Sequence, residues 1–256
     1  MTWSVGAGLE DKGVVVTGAA GGIGRAVAAA FATTGARVCA VDVSQEAVDE
    51  VVASLDQPER HFGAAADLRD LAGHEPLLRG ALERFGRFDV LAHLAAVLRR
   101  RDTVDDVTED DWDFQHDVNL KAAFFLHRTA ARLMQEQGRG GRLVNFSSQG
   151  WWSGGFGGSV VYAATKGGIV SMTRGLARTY APHGITVNSV SPGGVDTAMM
   201  VGGQTQEQTD AFVSMIPVGR LARPDELAGT VVFLASDHAS YITGATINVS
   251  GGQLMY

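Results

Sequence analysis

The sequence predicts an α/β fold, a three-layer, doubly wound parallel sheet of about seven strands with helices on both faces. Short β-type runs alternate with helical stretches across all 256 residues, the pattern of βαβ units joined by right-handed crossovers. The strand candidates are continuously apolar, as in Val14-Val15-Val16, which is expected when both faces of a sheet are covered. A glycine-rich turn also joins the first strand run to the first helical run.

Taken in order, the strands are predicted over 13–17, 37–41, 61–65, 88–94, 142–147, 186–191 and 246–249. Helices are predicted between them, over 23–34, 46–55, 71–84, 110–137, 162–181 and 225–234. The stretch 150–158 is rich in glycine but also in aromatics, so it reads as a loop at the carboxyl end of a strand, where open α/β sheets place ligands. β-units continue on both sides of it, and no repeat or second unit is visible, so residues 1–256 are expected to form one domain.

Composition narrows the function. Hydrophobic residues make up 45% and charged residues 19% of the chain, with a net charge of −7. That balance argues against nucleic acid or an anionic membrane as the main partner. The one cysteine, Cys39, sits in an apolar strand run and reads as a small buried hydrophobe in a reducing compartment. The chain opens without a basic segment leading into an apolar one, and no run is long enough to span a bilayer, so the cytoplasm is expected. The seven histidines show no metal-ligand spacing, and no metal is expected.

The turn Thr17-Gly18-Ala19-Ala20-Gly21-Gly22-Ile23-Gly24 ends the first strand and opens the first helix. Glycines let backbone amides approach a pyrophosphate, and the helix N-terminus adds partial positive charge. Asp42 ends the second strand, about 20 residues on, where a carboxylate accepts from a ribose hydroxyl and repels a 2′-phosphate. Asp42 could instead cap a helix, a role Ser44 fills equally well. No Arg or Lys lies in the turn before Gly24, so NAD is expected over NADP.

Tyr162 and Lys166 stand four apart on a predicted helix, which places both on one face. A free phenol titrates near 10, too high for acid–base work at neutral pH, and a neighbouring ammonium favours its ionised form. Such a pair is common on solvated helices, and its meaning comes from the motifs around it.

Together these motifs resemble the short-chain dehydrogenase/reductase family over nearly the whole chain. The resemblance rests on Thr17-Gly-x-x-x-Gly-Ile-Gly24, Asp67, Asn119, Asn145-Phe-Ser-Ser148, Tyr162-x-x-x-Lys166, Asn188, Pro192-Gly193 and the tail 239–252. It implies a Rossmann-type fold that transfers a hydride between a nicotinamide and a secondary alcohol or ketone. Tyr162 would be the acid/base and Ser148 the donor to the substrate oxygen, with Ser147 the alternative. Lys166 would hold the nicotinamide ribose and depress the tyrosine pKa, and Asn119 would anchor a relay water. Gly18, Gly21, Gly22, Ile23, Gly24 and Ala95 would line the cofactor, Asp67 and Leu68 would contact its adenine, and Pro192, Gly193, Val195 and Thr197 its nicotinamide end.

One departure stands out. The family's Asn-Asn-Ala-Gly is His93-Leu94-Ala95-Ala96 here, and His93 is expected to be a core residue tying neighbouring strands. By resemblance, a lid near 194–217 closes over the substrate, carrying Met199, Met200, Phe212 and Met215. Trp151 and Trp152 suggest a bulky apolar substrate, whereas Arg99-Arg100-Arg101 is either a solvated run or an attractor for an anionic one. The family also implies a homotetramer built on the two long helices. A rival reading is a 3-oxoacyl carrier-protein reductase, against which Gly21, Asp42 and His183 weigh. A rival of another class is a non-catalytic nucleotide sensor on the same fold.

Overall fold

The computed structural model describes residues 4–155, 157–203 and 205–256. Its strands are β1 (Gly13–Thr17), β2 (Arg37–Asp42), β3 (Phe62–Ala65), β4 (Val90–His93), β5 (Gly141–Phe146), β6 (Ile185–Pro192) and β7 (Thr246–Val249). All pair in parallel, in the order β3-β2-β1-β4-β5-β6-β7. The order reverses direction between β1 and β4, so the chain crosses to opposite sides of β1 and opens a crevice at the carboxyl ends there.

The helices are α1 (Gly22–Thr33), α2 (Gln45–Ala53), α3 (His74–Phe85), α4 (Glu109–His116), α5 (Ala122–Gln137), α6 (Gly150–Ser153), α7 (Val160–Tyr180), α8 (Ala198–Val201), α9 (Gln206–Ser214) and α10 (Pro224–Ala235). They cover both faces of the sheet. Val14 and Val16 of β1 join one core with Val27 and Phe31 of α1 and Leu227 of α10. Val15 joins the other with Leu78 of α3 and Leu126 of α5. This explains the unbroken valine run, because successive side chains enter different cores. Cys39 lies in the second core, where burial pushes its thiol up to about 12.

Several local features shape the site. The helix predicted over 110–137 is interrupted by a wide π turn, Asp117–Lys121, between α4 and α5. The loop predicted over 150–158 holds the short α6, and Phe156 within it lies outside the described residues. The lid region carries α8 and α9, each with a threonine cap: Thr197 Oγ1 accepts from Met200 N and Thr205 Oγ1 from Gln208 N. Gln204 between them, and Met1–Trp3 at the start, also lie outside the description. Among the described residues no helix is long and apolar enough to cross a membrane.

Candidate active site

A cavity of about 850 Å³ opens along the carboxyl ends of the strands, from the glycine turn and Asp42 to the lid. Its floor at one end is the β1–α1 turn. Gly18 has a φ of +67°, and a Cβ there would stand 2.7 Å from Ala95 N. At Gly24 a Cβ would stand 2.0 Å from the Gly18 carbonyl. Both positions therefore require glycine for the close packing of the turn. The amides of α1 open into this cradle, whose shape suits the pyrophosphate of a dinucleotide. Gly21, Gly22 and Ile23 line it too.

Asp42 lines the same end. Its Oδ2 accepts from Ala20 N at 3.0 Å and its Oδ1 from Val43 N at 2.8 Å. The carboxylate thus braces the glycine turn from the tip of β2 while keeping its charge at the cavity. Ser44, not Asp42, caps α2. The nearby Arg25 is held by the Ala20 carbonyl and Glu50 and does not line the cavity.

At the other end Ser148, Tyr162 and Lys166 converge on the cavity wall. The Tyr162 phenol is pushed up to about 12 by burial, against the opposing pull of a hydrogen bond with Ser148 and the charge of Arg100. Ser148 Oγ also accepts from Gly150 N at 3.2 Å. Ser147 also lines the cavity, but its hydroxyl donates to the Lys166 carbonyl at 2.9 Å, which seats β5 against α7. Of the two serines, Ser148 is the one bonded to the phenol.

Lys166 is only 3% exposed, and burial brings its ammonium down to about 8. Its Nζ donates to the Phe146 carbonyl at 2.9 Å and lies 5.4 Å from the centre of the Tyr162 ring. The sequence predicts an ammonium that depresses the phenol pKa. In the structure burial dominates, and the phenol stays raised.

Asn119 sits in the π turn, buried and away from the cavity wall. Its Oδ1 accepts from Val97 N at 2.7 Å, while Nδ2 donates to Val97 O at 2.9 Å and Thr165 Oγ1 at 3.3 Å. The side-chain amide therefore pins the loop after β4 to α7.

Pro192, Gly193, Val195 and Thr197 line the cavity beyond β6, and Ala95 lines it after β4. Asp67 and Leu68 do not: Asp67 is engaged by Arg69 and Leu68 packs in the core. Trp151 and Trp152 are turned away as well. Trp151 Nε1 donates to the Tyr256 hydroxyl at 3.1 Å, and Trp152 is 58% exposed. The aromatic pocket wall expected from them is absent, and Met199, Met200, Phe212 and Met215 supply the apolar surface instead. Phe212 reaches the wall because Gly194 leaves room, a Cβ there standing 2.4 Å from its ring.

His93 is a buried core residue with Nδ1 2.8 Å from Thr17 Oγ1, linking β4 to β1. Its ring meets that of His127 edge-on at 5.4 Å. His127 was not singled out by the sequence, since a histidine in a helix carries no sign of which histidine it will face.

A parallel sheet with a glycine cradle at its switch point, and a Ser–Tyr–Lys set at the far end, defines a nicotinamide-dependent oxidoreductase site. The chain belongs to the short-chain dehydrogenase/reductase family. The family described as enoyl-(acyl carrier protein) reductase matches residues 18–253. D-threitol dehydrogenase of Mycolicibacterium smegmatis is 37% identical, covering 95% of this chain and 93% of that protein. 2-Dehydro-3-deoxy-D-gluconate 5-dehydrogenase of Escherichia coli is 35% identical over 96% of each. The crystal structure of a short-chain dehydrogenase/reductase of the glucose/ribitol dehydrogenase type from Brucella melitensis superposes with a TM-score of 0.89 at 35% identity, covering 97% of this chain and 98% of that one.

Proposed function

We propose that the protein is an NAD-dependent oxidoreductase acting on a secondary alcohol or the corresponding ketone, as a single domain with a lid near 194–217. The observation that carries this reading is the convergence of Ser148, Tyr162 and Lys166 on one wall of the cavity whose other end is the glycine cradle. The cofactor bound there supplies the acceptor or donor of the hydride. Tyr162, held as the neutral phenol by burial, gives its Oη proton to the substrate oxygen on reduction; on oxidation that proton must first be lost to solvent, so that the phenolate takes the proton of the substrate hydroxyl. Ser148 Oγ–H donates to the substrate oxygen, the atom on which charge develops. Lys166, held by the Phe146 carbonyl, keeps an ammonium beside the phenol and would be the donor to the nicotinamide ribose. Asn119 would anchor the water through which the proton passes from Lys166 to solvent.

The preference for NAD rests on Asp42, the one carboxylate among the residues lining the cavity. Its carboxylate would meet the adenosine ribose, and the nearby Arg25 is held by the Ala20 carbonyl and Glu50 rather than lining the cavity where a 2′-phosphate would sit. Action in the cytoplasm as a homotetramer is supported by the lone cysteine, Cys39, being buried in the core rather than placed for a disulfide, and by the groove of Leu120, Phe124, Phe125 and Met172 between the long helices.

The test is a panel of secondary alcohols with NAD, and of ketones with NADH, followed by absorbance of the reduced cofactor. Tyr162→Phe is expected to bind cofactor normally and to lose turnover by about a hundredfold or more. Undiminished turnover in that variant would assign the proton transfer elsewhere. A 3-oxoacyl thioester belongs in the panel, because the family description names carrier-protein chemistry. Silence across the panel with intact cofactor binding favours a nucleotide sensor.

A further inference from the structure

The arginine run 99–101 follows β4 into the cavity mouth, and its three members are disposed differently. Arg99 is paired with Asp110, lies 3.4 Å from Asp111 Oδ1, and stacks 4.1 Å above the Phe114 ring. Arg101 grips Asp111 with two bonds of 2.7 Å. Asp111 is 1% exposed and also closes the cap of α4 with Thr108. The charges of Arg99 and Arg101 are therefore met by carboxylates fixed in the fold.

Arg100 has no carboxylate within ion-pair distance among the described residues. Among the described residues its guanidinium donates to backbone carbonyls of the lid, to Met200 O at 3.3 Å and Gly202 O at 3.4 Å. Neutral acceptors orient a guanidinium without cancelling its charge. Arg100 lines the cavity, and its charge reaches Tyr162, where it favours the phenolate. The other cations on the wall are Arg101, already paired, and Lys166, which is buried against the Phe146 carbonyl. The lid contributes Met199, Met200 and Phe212, with Gln208, to the same cavity wall, and Arg100 itself is exposed. A single planar guanidinium with no fixed counter-ion matches one planar carboxylate through a bidentate pair.

We propose that Arg100 is the specificity-determining residue of this site and that it receives a carboxylate on the substrate, making the substrate a hydroxy acid or oxo acid rather than a neutral alcohol. The carboxylate lies at the lid, separated from the reacting carbon at Tyr162 by a short apolar stretch of the substrate. This deepens the oxidoreductase reading and rests on it for the position of the reacting carbon. The anion site itself is tested apart from turnover.

Binding of 4-oxopentanoate and 5-oxohexanoate, each against its methyl ester, is measured by calorimetry on the NAD-loaded protein, in which the oxo group has no hydride donor. The expected result is at least one acid binding about tenfold or more tighter than its ester, as a charge-assisted pair at a cavity mouth affords. Arg100→Gln should bring that ratio close to one, and Arg100→Lys should restore part of it. No acid preference in the natural protein overturns the proposal. So does an acid-to-ester ratio unchanged in Arg100→Gln, which would leave Arg100 as a tie between loop and lid. A phosphorylated ketone, dihydroxyacetone phosphate, that binds more tightly than either oxo acid overturns the carboxylate assignment. Selective acid binding that depends on Arg100, without turnover of any substrate in the panel, upholds the anion site and instead removes the oxidoreductase reading.

Discussion

The paired histidines behind the active site should make the fold sensitive to mild acid. His127 is wholly buried, and its Nδ1 must donate to the Ala123 carbonyl at 2.7 Å, which leaves Nε2 as a bare lone pair with no partner among the described residues. Burial lowers its pKa from 6.5 to about 4. The folded ring thus stays neutral at a pH where the unfolded one is charged. A lowered folded pKa gives stability that is present above the unfolded value of about 6.5 and lost as the pH falls toward about 4. Between pH 7.5 and 5.0 the unfolded chain gains nearly one proton at this site and the folded chain almost none, a loss of about 2 kcal/mol.

His93 is also held well below its ordinary value, chiefly by burial, so it adds to the loss in the same direction. The assay is urea unfolding followed by tryptophan fluorescence at the two pH values, for the natural protein and for His127→Leu. The variant keeps an apolar side chain of similar bulk and has no proton to bind at that position. It should lose about 2 kcal/mol less on acidification than the natural protein. Parallel losses in the two proteins would refute the claim that a neutral His127 is held in the core.

Two further outcomes concern the cofactor end. Asp42→Asn retains an acceptor for Ala20 N, now bonded by Oδ2 at 3.0 Å, but removes the charge. Titration of NAD and NADP against protein fluorescence should show tighter NAD binding in the natural protein and a preference reduced about tenfold in the variant, on the ribose argument; equal affinities in the natural protein would remove Asp42 from that role. Gly24→Ala places a Cβ 2.0 Å from the Gly18 carbonyl, so cofactor binding should be lost and thermal stability lowered, by about 1–3 kcal/mol as for overpacking elsewhere. Calorimetry with NAD and a melting curve check both parts.

The strand and helix order was readable because each apolar run has its own period and its own punctuation. The helix over 110–137 shows where that legibility stops. Its residues are helical throughout, yet the π turn at Asp117–Lys121 carries Asn119, whose side chain bonds to Val97, 22 residues earlier. Asp67, Leu68, Trp151 and Trp152 lie near the site in the chain, but the directions of their side chains were set by Arg69, the core and Tyr256.

By itself the sequence determined the parallel sheet, the glycine cradle and the Tyr162–Lys166 face, because each follows from local spacing and from the conformations glycine permits. Only the tertiary structure decided which charges remain uncompensated. Arg99, Arg100 and Arg101 are one tripeptide in the sequence. Asp110 and Asp111, brought against two of them by the folding of α4, leave the third facing the cavity. Net charge at a site is a sum over neighbours in space, and neighbours in space are what folding supplies.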